Sequence, residues 1–219
     1  TSSYIVMDDD SKRVIEGANT QEKKLIASTT KIMTAIIAIE NGSLDDKVKI
    51  DKDVLKAYGS NIYIEIDEEI TLRDLLYGLL LRSGNDAAIE IANCIAGSMD
   101  EFVKMMNDKA KNLGMENTTF INSSGLENDE KLGNTSTAYD MALLMSYAID
   151  NKTLVEISGT KRHIGTTNYK TYDWNNKNKL LTSYKYTIAG KTGFTKLARR
   201  TLVTASLKDD KKLVIVTLN

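Results

Sequence analysis

The sequence predicts a mixed α/β fold: an antiparallel sheet built from strands at the two ends of the chain, packed with helices and carrying an inserted all-α portion. Three observations predict it. β-branched or alternating runs gather at the ends, Ser3-Tyr4-Ile5-Val6-Met7 and Arg13-Val14-Ile15 at one, Thr187 to Thr195, Thr201 to Leu207 and Leu213 to Leu218 at the other. Helical periodicity fills the middle. From Ile32 to Ile39 nearly every residue is apolar or small, so that helix is packed on all sides. The 219 residues then form a single domain, with sheet from about 1–27 and 150–219 and helices over about 28–149.

Taken in order, the first two runs flank Asp8-Asp9-Asp10-Ser11-Lys12 and read as a hairpin with a polar turn. After the apolar helix, Ser43 to Asn61 is loop-rich and Ile62-Tyr63-Ile64-Glu65-Ile66 reads as a short strand. Thr71-Leu72-Arg73-Asp74 is a capping box with Asp in place of Glu, opening a helix through Leu81. Further helices are predicted over Ala87 to Ala96, over Met99 to Leu113 with Gly114 as its stop, and over Thr137 to Ile149. Between the last two, Thr119-Phe120-Ile121 is a candidate strand, and Thr166 to Tyr172 opens the second β region.

Composition narrows the function. With 29 basic and 30 acidic residues, net charge −1 and no long single-sign block, the chain is not a nucleic-acid binder. Its apolar runs fall short of the roughly 18 residues a membrane helix needs. Cys94 is the single cysteine, which excludes an intrachain disulfide and a cysteine metal cluster; in an apolar stretch it reads as packing. Proline is absent, so every turn relies on Gly, Asn, Asp and Ser.

Ser28 and Lys31 stand three residues apart at the mouth of the apolar helix, a spacing that puts both on one helical face. A hydroxyl beside an amine forms a nucleophile and its base if the amine is neutral. An ordinary lysine is neutral in fewer than about one molecule in a thousand at pH 7, so burial must lower its pKa. A capping serine and a snorkelling lysine give the same pattern without chemistry, and Ser158-Gly159-Thr160-Lys161 repeats it with no apolar helix behind. Ser83-Gly84-Asn85 between two helices, read alone, is a tight turn needing glycine's φ freedom. Lys191-Thr192-Gly193, alone, is a strand end. His163, the sole histidine, falls in a polar segment expected to be exposed, a poor setting for a Ser-His-Asp triad. Trp174 is expected to cap a loop near the site. Neither a metal-ligand spacing nor a phosphate-binding loop appears, and no cofactor is implied.

Together, in this order and context, the three motifs resemble the active-site signature of the penicillin-recognising serine enzymes. Ser28 to Gly42, Leu75 to Ala96, Phe102 to Leu126, Ser136 to Leu144 and Asn176 to Thr195 resemble the low-molecular-mass penicillin-binding proteins that are D-alanyl-D-alanine carboxypeptidases. The resemblance implies a β-lactamase/transpeptidase-like catalytic domain acting on peptidoglycan stem peptides and acylated by β-lactam antibiotics. It implies Ser28 as nucleophile, Lys31 as its neutral base and Ser83 as the group that hands the proton to departing D-alanine. Asn85 would orient Lys31 and the substrate, Lys191 would depress the Lys31 pKa, and Thr192 would bind the terminal carboxylate. The N–H groups of Ser28 and Phe194 would form the oxyanion hole beside Gly193, with Arg200 a further candidate for the carboxylate. Extracytoplasmic action is implied too, as is membrane association through a region beyond Asn219, where relatives carry a closing helix and a stalk domain.

Some positions depart from the family pattern. Ile26 and Ser123 stand where proline is common, Asn134 where many relatives have histidine, and Arg199 where glycine is usual, which is expected to disturb a turn beside the cleft. The rival readings are a β-lactamase, which lacks its Glu-x-x-Leu-Asn segment here since Glu130-Lys131-Leu132-Gly133-Asn134 misplaces the leucine, and a non-catalytic β-lactam sensor.

Overall fold

The computed structural model describes residues 2–219. Alternation along β1 (Ser3–Asp8) buries Ser3, Ile5 and Met7. One side of β1 pairs with β2 (Val14–Ala18); the other pairs with β11 (Lys211–Leu218), Ser3 opposite Leu218. Beyond β11 lie β10 (Arg199–Lys208) and β9 (Thr187–Thr195), completing an antiparallel sheet in the order β2-β1-β11-β10-β9. The sheet is thus assembled from both ends of the chain, as predicted, and β9 forms one of its edges.

The buried helix is α1 (Lys31–Asn41), with Lys31 through Ala38 all buried. Next come β4 (Lys47–Lys49) paired with β5 (Glu69–Thr71), and α2 (Leu72–Tyr77), where the Thr71 side chain caps Asp74 N as the capping box requires. α3 (Asn85–Ala96) and α4 (Met99–Asn112) follow, and β6 (Thr135–Ser136) pairs with β3 (Lys24–Leu25). α5 (Ala138–Ala148) lays Met141, Leu144 and Met145 in the core against the sheet.

Several expectations are corrected. Ile62 to Ile66 is not a strand: the amides of Ile62 and Tyr63 donate to the buried Asp86 carboxylate at 2.7–3.0 Å instead of to a neighbouring strand. Thr119 makes one isolated bridge to Thr135. The helix opened at Thr71 ends at Tyr77 and continues to Arg82 as a π turn. Residues after 150 begin with a helix, α6 (Lys152–Gly159), and Thr166 to Tyr172 is the bend of a hairpin between β7 (Arg162–Thr166) and β8 (Thr171–Asn175); the short α7 (Leu180–Ser183) precedes β9. Cys94 is exposed on α3, not packed.

Candidate active site

Ser28 lies in a 3-10 turn, Ala27–Thr30, that feeds directly into α1 at Lys31. The turn is tightly seated. Ala27 adopts φ 47°, a left-handed conformation that costs a residue with a side chain about 1–2 kcal/mol. Beneath it Gly125 comes so close that a Cβ there would lie 1.9 Å from the Ala27 carbonyl oxygen. Asn134, where the resemblance led us to expect histidine, is a buried clamp for the same turn. Its Nδ2 donates to Thr30 Oγ1 at 2.9 Å, its backbone oxygen accepts from Ile26 N at 3.1 Å, and its Oδ1 accepts from Ile121 N at 2.7 Å.

Lys31 is fully buried. Its Nζ lies 2.7 Å from Asn85 Oδ1, 2.7 Å from the Ser124 carbonyl oxygen and 3.2 Å from Ser28 Oγ. Burial, then the charge of Lys191, then that of Lys177 push its pKa well below the ordinary lysine value. A neutral amine has two N–H bonds and one lone pair. Two of its neighbours can only accept, so in the neutral form the N–H bonds would go to Asn85 and Ser124, leaving the lone pair for the Ser28 hydroxyl.

Ser83 takes the strained conformation in its motif, at φ 66°, while Gly84 sits at φ −60°. The expectation that Gly84 serves φ freedom is therefore wrong; it serves close packing, since a Cβ there would meet Asp86 Oδ1 at 2.9 Å and Ile62 Cγ2 at 3.2 Å. The sharp reversal ends the π turn and starts α3, which places Asn85 at the helix entrance, facing Lys31.

Edge strand β9 brings the third motif. A Cβ on Gly193 would lie 3.0 Å from Ser28 N and 2.3 Å from Thr201 Oγ1, so only glycine lets the strand run this close. Lys191 is buried, donates from Nζ to the Thr192 carbonyl oxygen at 2.6 Å, and has its pKa lowered to about 7 by burial and by Lys177. All three motifs converge. An open cleft of about 1180 Å³ is lined by Ser28, Ser83, Thr192, Gly193, Phe194 and Arg200 among others; its walls carry Lys177, Lys179, Arg199 and Arg200 and, among the described residues, no acidic side chain. Arg200 lies across from Phe194 in the ladder, its guanidinium 5.7 Å from that ring's centre.

The decoys fall elsewhere. Ser158 is buried at the end of α6, its hydroxyl without a hydrogen-bond partner among the described residues. His163 is not exposed: it stacks on Tyr77 at 3.6 Å, and its Nε2 lies 2.6 Å from Asp74. Trp174 caps no loop; it is buried on β8 against Tyr172. Lys177 was missed by sequence reasoning, although its place one residue before Asn178, among the cleft-lining residues, leaves a polar run as the only signal.

A hydroxyl beside a desolvated amine, set against a strand edge in a cationic cleft, is an arrangement chemically suited to serine-type acyl transfer. The family model described as D-alanyl-D-alanine carboxypeptidase matches residues 1–219, and the chain belongs to that family. It is 34% identical over 220 residues to the D-alanyl-D-alanine carboxypeptidase DacF of Bacillus subtilis (98% of this chain, 56% of the relative). To the D-alanyl-D-alanine carboxypeptidase DacC of Escherichia coli it is 34% identical over 233 residues (99% and 56%). The chain thus spans about half the length of these relatives. Among solved structures it matches a D-alanyl-D-alanine carboxypeptidase from Mycobacterium tuberculosis with TM-score 0.94 and 32% identity, covering 100% of this chain and 82% of that one. A mutant of the Streptomyces K15 DD-transpeptidase matches with TM-score 0.92 and 31% identity, covering 99% and 89%.

Proposed function

We propose that the chain removes the terminal D-alanine from peptidoglycan stem peptides ending in D-Ala-D-Ala, through an acyl-enzyme on Ser28, and that penicillin acylates the same oxygen. The observation that carries this is the buried Lys31 amine, held by Asn85 Oδ1 and the Ser124 carbonyl oxygen with its Nζ 3.2 Å from Ser28 Oγ. Ser28 Oγ attacks the penultimate carbonyl carbon as its proton passes to Lys31 Nζ. The new C–O bond forms, the C–N bond breaks, and Ser83 conveys the proton to the departing amine. Water then hydrolyses the ester, releasing the shortened peptide and restoring Ser28.

The other residues serve charge and position. The N–H groups of Ser28 and Phe194 receive the oxyanion in the narrow gap that Gly193 permits. Thr192, with Arg200 as a further candidate, binds the terminal carboxylate, in keeping with the cleft's lack of acidic side chains. An anion there favours the charged form of Lys191, whose pKa near 7 leaves it poised. Asn85 orients Lys31 and pairs with the substrate backbone. The domain works as one catalytic unit on peptidoglycan outside the cytoplasmic membrane; among the described residues no helix is long and apolar enough to cross a membrane.

The test is release of D-alanine from a D-Ala-D-Ala peptide, with intact-mass analysis after penicillin treatment. We expect release, and a penicilloyl adduct mapping to Ser28. Ser28→Ala should abolish the adduct and lower release by at least about a thousandfold with the fold intact. An adduct that persists, or a wild-type chain that releases no D-alanine, contradicts the assignment.

A further inference from the structure

The two oxygens that hold Lys31 Nζ, Asn85 Oδ1 and Ser124 O, come from different elements, and nothing covalent fixes the distance between them. Tyr58 touches both elements. Its backbone oxygen accepts from Asn85 Nδ2 at 2.6 Å, and its hydroxyl donates to the Glu127 carbonyl oxygen at 2.7 Å, three residues along the loop from Ser124. A closed ring results, running Lys31, Asn85, Tyr58, Glu127, Ser124 and back to Lys31. Gly59, at φ 80°, lets the backbone come this near: a Cβ there would lie 3.2 Å from Asn85 Nδ2. The ring borders a small cavity of about 170 Å³, lined by Tyr58, Asn85, Ser124 and Glu127 among others. Glu127 also ties the ring to the end of β9, its Oε1 accepting from Thr195 Oγ1 at 2.5 Å.

Packing does not explain a tyrosine here, because the residue is 58% exposed. Nor is it among the residues lining the substrate cleft. We propose that Tyr58 is a positioning residue for the catalytic amine: it holds Asn85 Oδ1 and Ser124 O at a fixed separation, so that the lone pair of Lys31 stays aimed at Ser28. The inference rests on the serine-peptidase reading above. If either oxygen drifts, Nζ turns to follow it and the lone pair leaves the hydroxyl. Loosening the ring also opens a route for water from the small cavity to the amine, and water favours the ammonium form.

Tyr58→Phe removes one hydroxyl and keeps the ring. Acylation of Ser28 by penicillin, followed by intact mass across a pH series, is expected to slow about tenfold. The KM for a D-Ala-D-Ala peptide should hold, and the ascending limb of the pH profile should move to higher pH. The melting temperature is expected to stay within about 1 °C, since an exposed hydrogen bond contributes little to stability. Unchanged kinetics and pH profile in Tyr58→Phe, with the wild type acylated normally, overturn the proposal. A melting temperature lowered by several degrees, with rate loss that tracks unfolding, overturns it in favour of a structural role. A wild type that is never acylated at Ser28 instead overturns the peptidase reading itself.

Discussion

Arg199 sits at φ 61°, in the left-handed region that glycine occupies freely and other residues enter at a cost of about 1–2 kcal/mol. The turn before β10 forms regardless, because Thr195 Oγ1 accepts from Ala198 N at 3.0 Å and Arg199 pairs with Thr195 in the ladder. The expected disturbance is thus absorbed as local strain. Arg199→Gly removes the strain but loosens the unfolded chain, so a net gain of about 0.5–1 kcal/mol is expected, read as a melting temperature about 2 °C higher. A second residue-scale prediction concerns Glu90, buried beside Asp51, Asp53 and Asp86, with its Oε1 unpartnered among the described residues. Burial, and then the charge of Asp51, push its pKa from 4.5 to about 7. The fold therefore favours the protonated acid: its contribution is complete below about 4.5 and is lost as pH rises through about 7. Glu90→Gln should match the wild type in denaturant midpoint near pH 4 and exceed it above pH 7; equal midpoints at both would show that the carboxyl carries no such strain.

At the scale of elements, the Asp86 carboxylate stands in for the strand that Ile62 to Ile66 does not form. It gathers the amides of Ile62 and Tyr63 and so pins the loop whose earlier part carries Tyr58 and Gly59. Asp86→Ala strands buried donors, so a loss of about 3 kcal/mol is expected, with faster hydrogen exchange at residues 62–64. Protection there equal to the wild type would mean the loop is held by something else. The elements also divide by how legible they were. Helices with a capping signal or a stop, such as α2 and α4, and strands with strict alternation, such as β1, were readable because local chemistry and burial agree. Ile62 to Ile66 misled because its two buried isoleucines alternate as a strand's do while its hydrogen bonds run to a side chain. α6 was hidden in a mixed run, and Gly84 was read as a turn glycine because sequence carries no record of Ile62 approaching it. The three motifs were legible as a set; the bracing by Tyr58, Asn134 and Glu127 was not, since each acts through contacts many residues away in the chain.

Over the whole molecule, the sheet joins the ends of the chain and the helices hang Ser28, Ser83 and Asn85 against its edge. β1 lies between β2 and β11, with α5 packed across it. Deleting residues 1–19 would expose β11 as a long apolar edge and uncover α5, so the truncated chain should lack a cooperative thermal transition; a sharp transition near the wild-type temperature would contradict that view of the sheet. The central claim is that an uncharged Lys31 takes the Ser28 proton. It is tested most directly by the rate of penicillin acylation at Ser28 as a function of pH, with the adduct located by peptide mapping. The account predicts a rate that rises to a plateau with a midpoint well below the ordinary lysine value of 10.5. A rate still climbing towards 10.5, or an adduct on any other residue, would contradict it.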